Sequence, residues 1–253
     1  ALPRIAPRIA RLSRLLNLAS DLPGKRLLGI TQKRRLPRWS EQAWRDQELE
    51  SVASSIKSDA EQGSAGIKAD STKPQVALFV DTFSRWFEPE IPRAAKNLLE
   101  ASGADVIPLR SEPGERPLCC GRTYLSAGMV DEAIHEAERL VNAARKMTSG
   151  DIKIVGLEPS CLYTLQDEIP ALLDNTEAHR LAELSLTLED YLDQAWEEGR
   201  TISFNSQAYE GPDGKPLRIL RHGHCHQKAF GGVPAVDRML ARLPGVEATA
   251  IES

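Results

Sequence analysis

Residues 75–109 read QVALFVDTFSRWFEPEIPRAAKNLLEASGADVIPL. The run QVALFV (75–80) is short, apolar and β-branched, the composition of a buried strand. PEIPRAAKNLLEAS (89–102) has apolar residues at helical spacing and stops at Gly103, a natural C-terminal cap. ADVIPL (104–109) then reads as a second strand. Strands separated by a helix of this length imply parallel pairing and βαβ units.

The alternation continues to residue 198. A Pro/Gly loop holds Cys119-Cys120-Gly121, and a long helix over 126–147 follows, with Val130, Ala133, Ile134, Ala137, Leu140, Val141 and Ala144 on its inner face. KIVGLEP (153–159) is a strand with Cys161 just past it, and two helices lie near 177–184 and 186–197. The pattern restarts over 217–253: LRILRHGHC is strand-like, 233–243 is helical, Gly245 caps and VEATAIES is a strand. Gly103 follows Thr82 by 21 residues and Gly245 follows Cys225 by 20, so the two segments can be laid over each other. Cys119 follows Thr82 by 37 residues, whereas only 28 residues follow Cys225. The expected fold class is therefore α/β, a mainly parallel sheet flanked by helices. It contains one full repeat (75–216) and the start of a second, truncated one (217–253).

A helical segment precedes the repeats. Ile5, Ile9, Leu12 and Leu16 share one helix face, while Arg4, Arg8, Arg11 and Arg14 lie on another. This reads as a docking helix with a solvated basic face, or as a patch for a membrane surface or an acidic partner. Pro3, Pro7, Pro23, Gly24 and Pro37 cut the zone into short pieces, and a second helix is expected over 40–58. Residues 1–58 form a helical connector, and the small, polar stretch 59–74 reads as a flexible linker. The start Ala1-Leu2-Pro3 lacks Met and a signal-peptide apolar region; an Arg-rich, acid-poor start is also what a transit peptide has, but an internal or trimmed fragment is expected.

Composition narrows the class. With 253 residues, 41% hydrophobic and 27% charged, the chain is an ordinary globular protein with no apolar run of membrane-spanning length. The net charge of −4 gives no nucleic-acid signature, although about +9 is concentrated in residues 1–40 against about −13 for the rest. Four cysteines, two of them adjacent, suit thiolate chemistry in a reducing compartment better than a disulfide scaffold.

Parallel α/β sheets place their sites beyond the strand C-termini. Cys119, Cys120, Cys161 and Cys225 each follow an expected strand, so all four thiols can converge at one edge. Four thiolates match an iron–sulfur cluster, and a Cys/His set with His224 or His226 matches zinc, although the usual Cys-x-x-Cys knuckle is absent. Buried structural cysteines and a Cys–His nucleophile at Cys225 are the other readings the residues leave open. Each histidine alone also reads as a satisfied, half-buried side chain. Neighbours in a regular strand face opposite ways, so His224 and His226 cannot both share the orientation of Cys225.

Three motifs, PLCCGRTYLSAG (117–128), LEPSC (157–161) and HGHCHQKAFG (222–231), together resemble the cysteine-rich, Cys-Cys-Gly domain family. That family includes iron–sulfur subunits of glycolate oxidase, the B subunit of heterodisulfide reductase and the C-terminal part of large FAD-linked oxidases. VALFVDTFSRWFEPE (76–90) most resembles the last group, which is related to D-lactate and D-2-hydroxyglutarate dehydrogenases. Residues 1–40 resemble more loosely the connector after the ferredoxin-like domain of those fusions. The resemblance implies an iron–sulfur cluster of the 4Fe-4S type, with Cys119, Cys120 and Cys161 as ligands of the first repeat and Cys225 opening the second. It also implies FAD in another domain and electron transfer from a D-2-hydroxy acid such as D-lactate, glycolate or D-2-hydroxyglutarate.

The departures from the family pattern are specific. Thr82, or less readily Asp81, replaces the opening cysteine of the first repeat; Cys161 is single rather than paired; and no second Cys-Cys-Gly is present. A complete set then needs Cys225 or a donor from outside, with His224 or His226 as a ligand or a supporting group. The implied partners are the flavin-binding and ferredoxin-like domains of a parent enzyme, with the hydroxy acid bound elsewhere and no nucleic acid. The implied location is cytoplasmic, with a peripheral contact on the inner membrane through the basic segment. No Gly-x-Gly-x-x-Gly follows a strand, so the chain is not expected to be catalytic alone. A cluster-free or zinc-binding structural module of such an enzyme is the alternative.

Overall fold

Val76, Leu78 and Val80 fall on one side of the first strand and Ala77 and Phe79 on the other, and all five are buried. A strand apolar on both sides needs cover on both. The computed structural model describes residues 2–21, 33, 36–49, 73–205 and 215–251 and shows that cover. The chain opens with α1 (Leu2–Ile9) and α2 (Ser13–Asp21), joined by a 3-10 turn at Ala10–Leu12. β1 (Gln75–Phe79), α3 (Thr82–Trp86), α4 (Glu90–Ala101) and β2 (Asp105–Pro108) follow. Then come α5 (Arg122–Leu125), α6 (Val130–Ser149), β3 (Lys153–Gly156), α7 (Pro159–Gln166), α8 (Glu168–Leu173) and α9 (Thr176–Leu184). β4 (Ser185–Thr187) and α10 (Leu188–Glu197) complete this part.

The four strands form one parallel sheet in the order β2-β1-β3-β4. On one face Ala77, Phe79 and Ile154 pack with Leu140 of α6, Leu165 of α7 and Leu181 of α9. On the other, Val76, Leu78 and Val155 pack with Leu99 of α4 and with Tyr191 and Leu192 of α10. The α/β expectation is met. Gly103 has the left-handed backbone (φ +84) that its capping role requires.

Several elements differ from the sequence reading. The helix expected over 126–147 is split into α5 and α6, and α6 turns so that Val130 is half exposed while Glu136 is fully buried. Glu136 is tolerated inside because Arg116 and Arg139 both pair with it. β4 is only three residues long and lies between two helices, too short to leave a period in the sequence. Of the helix expected over 40–58, residues 46–49 form a 3-10 turn (Asp46–Leu49) and residues 50–58 lie outside the described residues. Trp44 and Leu49 join the second core face rather than standing off it. Residues 59–72 of the expected linker also lie outside the described residues.

The N-terminal stripe is corrected. Ile5 and Leu12 are about half exposed, and the segment buries Ala6 and Ser13 instead. Hydrophobicity alone selected the larger side chains, but the two hydrogen bonds of Asn17 to the Trp39 backbone turn the other side of the segment inward.

The remaining part contains β5 (Leu217–Arg221), α11 (Cys225–Phe230), α12 (Val233–Ala241) and β6 (Val246–Ala250). β5 and β6 pair in parallel as a second, two-stranded sheet. The strand ends at Arg221, not at Cys225 as LRILRHGHC suggested, because His224 caps α11: its Nδ1 accepts from His226 N at 3.2 Å. α12 lies on α10, where Arg238 and Arg242 pair with Asp193. Phe230 stacks on Tyr163 of α7 with centroids 4.7 Å apart.

Candidate metal centre

Each strand of the first sheet hands over to a helix at its C-terminal edge, so several helix N-termini converge there. Free N–H groups at such ends carry partial positive charge. Asp81 caps α3, its Oδ1 accepting from Phe83 N (2.7 Å) and Ser84 N (3.0 Å) and its Oδ2 from Ser84 Oγ (2.6 Å). Glu158 caps α7, accepting from Cys161 N at 2.7 Å and Ser160 Oγ at 3.1 Å, with Pro159 at the first helical position. That cap holds the third residue of α7, Cys161, at the sheet edge.

Cys119 and Cys120 reach the same edge through the turn that starts α5. Gly121 has φ +86, and a Cβ there would stand 3.2 Å from the Ala133 carbonyl oxygen of α6. Both conformation and space therefore require glycine after the cysteine pair. The approach to the pair is fixed from below: Arg139 Nη2 donates to Arg116 O at 2.7 Å, and both arginines hold Glu136.

The thiols of Cys119, Cys120 and Cys161 are buried and free of disulfides, and each shifts the ionisation of the next along that order. Cys119 donates to Cys120, and that bond and burial push its pKa far above the ordinary thiol value. Cys120 accepts from Cys119, which lowers its pKa, but its bond to Cys161 and its burial hold it well above the usual value. Cys161 accepts from Cys120, which also lowers it, yet burial and the nearby Asp81 and Glu158 carboxylates raise it to about 11. Burial likewise raises the Asp81 carboxyl, against its bonds from Ser84 and Phe83.

Thr82 and Cys225 occupy the same place in the two parts, the first residue of α3 and of α11, behind the caps Asp81 and His224. Thr82 is buried and Cys225 is exposed. The residues either side of Cys225 reach the rim of the three-thiol site. His224 Nε2 lies 3.4 Å from Ser160 Oγ, and His226 Nε2 lies 3.3 Å from Arg122 Nη2. Their rings stack, with centroids 5.3 Å apart. Both face one way because they stand on a cap and a helix turn rather than on a strand. Among the described residues, no group of three or more His, Cys, Asp and Glu side chains stands in metal-ligating geometry.

Asp81 stands closer to the chemistry than its second place behind Thr82 suggested. Arg122, which also pairs with Glu168, and the cap Glu158 were not singled out by sequence. The Glu-Pro pair ahead of Ser-Cys was the readable signal for Glu158, since a cap followed by proline opens a helix.

Cys119, Cys120 and Cys161 are the donor type a thiophilic metal or an iron–sulfur cluster takes, and thiols that resist ionisation among themselves ionise readily against a cation, although the three are not gathered in ligating geometry here. The N–H groups at the starts of α3 and α7 are taken by the Asp81 and Glu158 carboxylates, whose charge opposes ionisation of Cys161 until a cation offsets it.

No protein-family model and no solved structure matches the chain. Curated relatives do. The chain is similar, at 27% identity over 184 residues, to the C subunit of anaerobic glycerol-3-phosphate dehydrogenase from Escherichia coli K12 and from Escherichia coli O157:H7. The match covers 72% of this chain but 42% of those relatives, so the chain spans less than half the length of the curated relatives it matches. Among the described residues, no helix is long and apolar enough to cross a membrane.

Proposed function

We propose that this chain is the cysteine-rich, electron-transferring portion of a flavin-linked oxidoreductase. The observation that carries the reading is the buried series Cys119–Cys120–Cys161 at the C-terminal edge of a parallel sheet. These three thiols hold an iron–sulfur cluster of the 4Fe-4S type, with Cys225 turning inward as the fourth donor from the second repeat. His224 and His226 hold the rim through Ser160 and Arg122 and orient Cys225. When bound, the cluster accepts and passes on single electrons. The chain's own residues bury the donors and exclude water, and the Glu158 cap positions Cys161 at the sheet edge.

The hydroxyl-bearing substrate is oxidised on a flavin in another part of the enzyme. A D-2-hydroxy acid is the substrate class the family resemblance supports, whereas the relatives' name specifies glycerol 3-phosphate. Both are small anions with an oxidisable alcohol, and both release two electrons on becoming a carbonyl compound. The partners are then flavin-binding and ferredoxin-like parts. In this reading residues 75–216 form the first repeat and 217–253 the start of the second. Four free thiols suit a reducing compartment such as the cytoplasm.

Anaerobic reconstitution with iron and sulfide tests the reading. The chain is expected to take up both and to gain the broad visible absorbance of a thiolate-bound cluster, sharply reduced in Cys120→Ser. A natively folded chain that takes up no iron overturns it. A second reading, a cluster-free or zinc-binding structural module, is favoured by the exposure of Cys225. Uptake of zinc alone would establish it.

A further inference from the structure

We propose that Tyr124 is a positioning residue of the cysteine centre: its hydroxyl donates to the Cys119 sulfur once a bound metal has ionised that thiol, and so raises the reduction potential of the centre. The inference rests on the metal-centre reading above. Buried polar groups in folded chains are almost always hydrogen-bonded. Among the described residues, the buried side-chain atoms that have no hydrogen-bond partner include Thr123 Oγ1, Tyr124 Oη, Tyr163 Oη and His226 Nδ1. Each belongs to a residue within four positions of Cys120, Cys161 or Cys225 in the sequence. Unpaired donors gathered around the cysteine positions fit an acceptor that protonated thiols do not supply, since a neutral thiol accepts weakly and a thiolate strongly.

Tyr124 is the member of this group that the surroundings single out. It is fully buried, and its N–H donates to Gly121 O at 2.9 Å, so the ring is carried on the same turn that holds the cysteine pair. Its hydroxyl shares one neighbourhood with Glu136, Arg116 and Cys119, whose charges all bear on it. Glu136 would be the natural acceptor there, but arginines occupy its carboxylate. Oε2 accepts from Arg116 Nη1 at 2.8 Å and Arg139 Nη1 at 2.9 Å, and Oε1 pairs with Arg116 Nη2. Cys119 is the remaining acceptor, and its sulfur already takes the Gly121 N–H at 3.5 Å. Tyr163 differs. A Cβ on Gly232 would stand 2.1 Å from its hydroxyl, so that oxygen lies against the Gly232 backbone of the second part. A hydrogen bond to a metal-bound thiolate favours the more negative, reduced state of the centre, which is why such bonds raise the potential.

The test compares the full wild-type chain with Tyr124→Phe and Tyr163→Phe, each reconstituted anaerobically with iron and sulfide and titrated potentiometrically through its visible absorbance. Tyr124→Phe is expected to take up as much iron and sulfide as the wild type. Its reduction equilibrium should move about fivefold towards the oxidised form, which for one electron is a midpoint about 40 mV more negative. Tyr163→Phe, which loses an equally unpaired hydroxyl, should keep the wild-type potential. In the metal-free chain the urea midpoint of Tyr124→Phe should not fall, because the hydroxyl removed has no partner to lose. Equal potentials in the wild type and Tyr124→Phe overturn the proposal. So does a lowered urea midpoint of metal-free Tyr124→Phe, which would make the hydroxyl structural, or the same shift of potential in Tyr163→Phe. A wild-type chain that takes up no iron overturns the metal-centre reading itself, and the proposal with it.

Discussion

Asp193 of α10 accepts from Arg238 of α12, with Nε and Nη2 at 2.8 and 2.6 Å from Oδ2, while Arg242 stands 2.7 Å from Oδ1. One nearly buried carboxylate thus ties the second part of the chain to the first. The bonds from Arg238, opposed by burial and reinforced by Arg242, hold the Asp193 carboxyl below its ordinary value. Its stabilisation is therefore full above the unfolded-state pKa and is lost as pH falls through the lower, folded one. Asp193→Ala should destabilise the chain by about 2 kcal/mol near neutrality and by much less in acid. Urea midpoints measured against pH check this, with hydrogen exchange across 217–250 rising first.

Gly121 combines a left-handed backbone with a close approach to Ala133 O, whereas Gly103 has the same hand and nothing within 4 Å of where a Cβ would stand. Gly103→Ala should cost about 1 kcal/mol of backbone strain. Gly121→Ala should cost about 2–3 kcal/mol, since α5 must also part from α6. Thermal unfolding of the two variants tests the order, and only Gly121→Ala should speed modification of Cys119 and Cys120.

Thiol labelling of the metal-free, reduced chain should be biphasic. Cys225 is exposed and reacts first; Cys119, Cys120 and Cys161 are buried and react late. The slow phase should accelerate as pH climbs towards the Cys161 value of about 11, because the thiolate is the reacting form. Cys225→Ser should remove the fast phase alone. A fast phase of three or more thiols would contradict the buried series.

Glu136 should be the most sensitive surface-remote position near the site. Glu136→Gln keeps the volume but leaves Arg116 and Arg139 facing an amide in a buried setting. A loss of about 3 kcal/mol is expected, read as a lower urea midpoint. Arg139→Lys should lose less, because a lysine keeps the charge but not both the Glu136 and Arg116 O bonds.

Local sequence dictated the architecture, because the two-sided apolar runs around Val76–Phe79 and Ile154–Val155 admit only strands covered on both faces. It also dictated where the glycine caps fall and that Cys119, Cys120 and Cys161 follow strands. Those properties depend on a residue and its neighbours within one period. Packing between distant segments settled the rest. β4 exists because a parallel neighbour pairs with three residues that carry no period of their own. Glu136 is inside because two arginines, one of them 20 residues away, compensate its charge. The inward side of α1 and α2 is Ala6 and Ser13, on the side where Asn17 bonds the Trp39 backbone, a partner 22 residues away. Finally, His224 and His226 face the same way, beside an exposed Cys225, because His224 ends an extended stretch and caps a helix. A cap is made by the backbone groups it satisfies, and those belong to the folded chain.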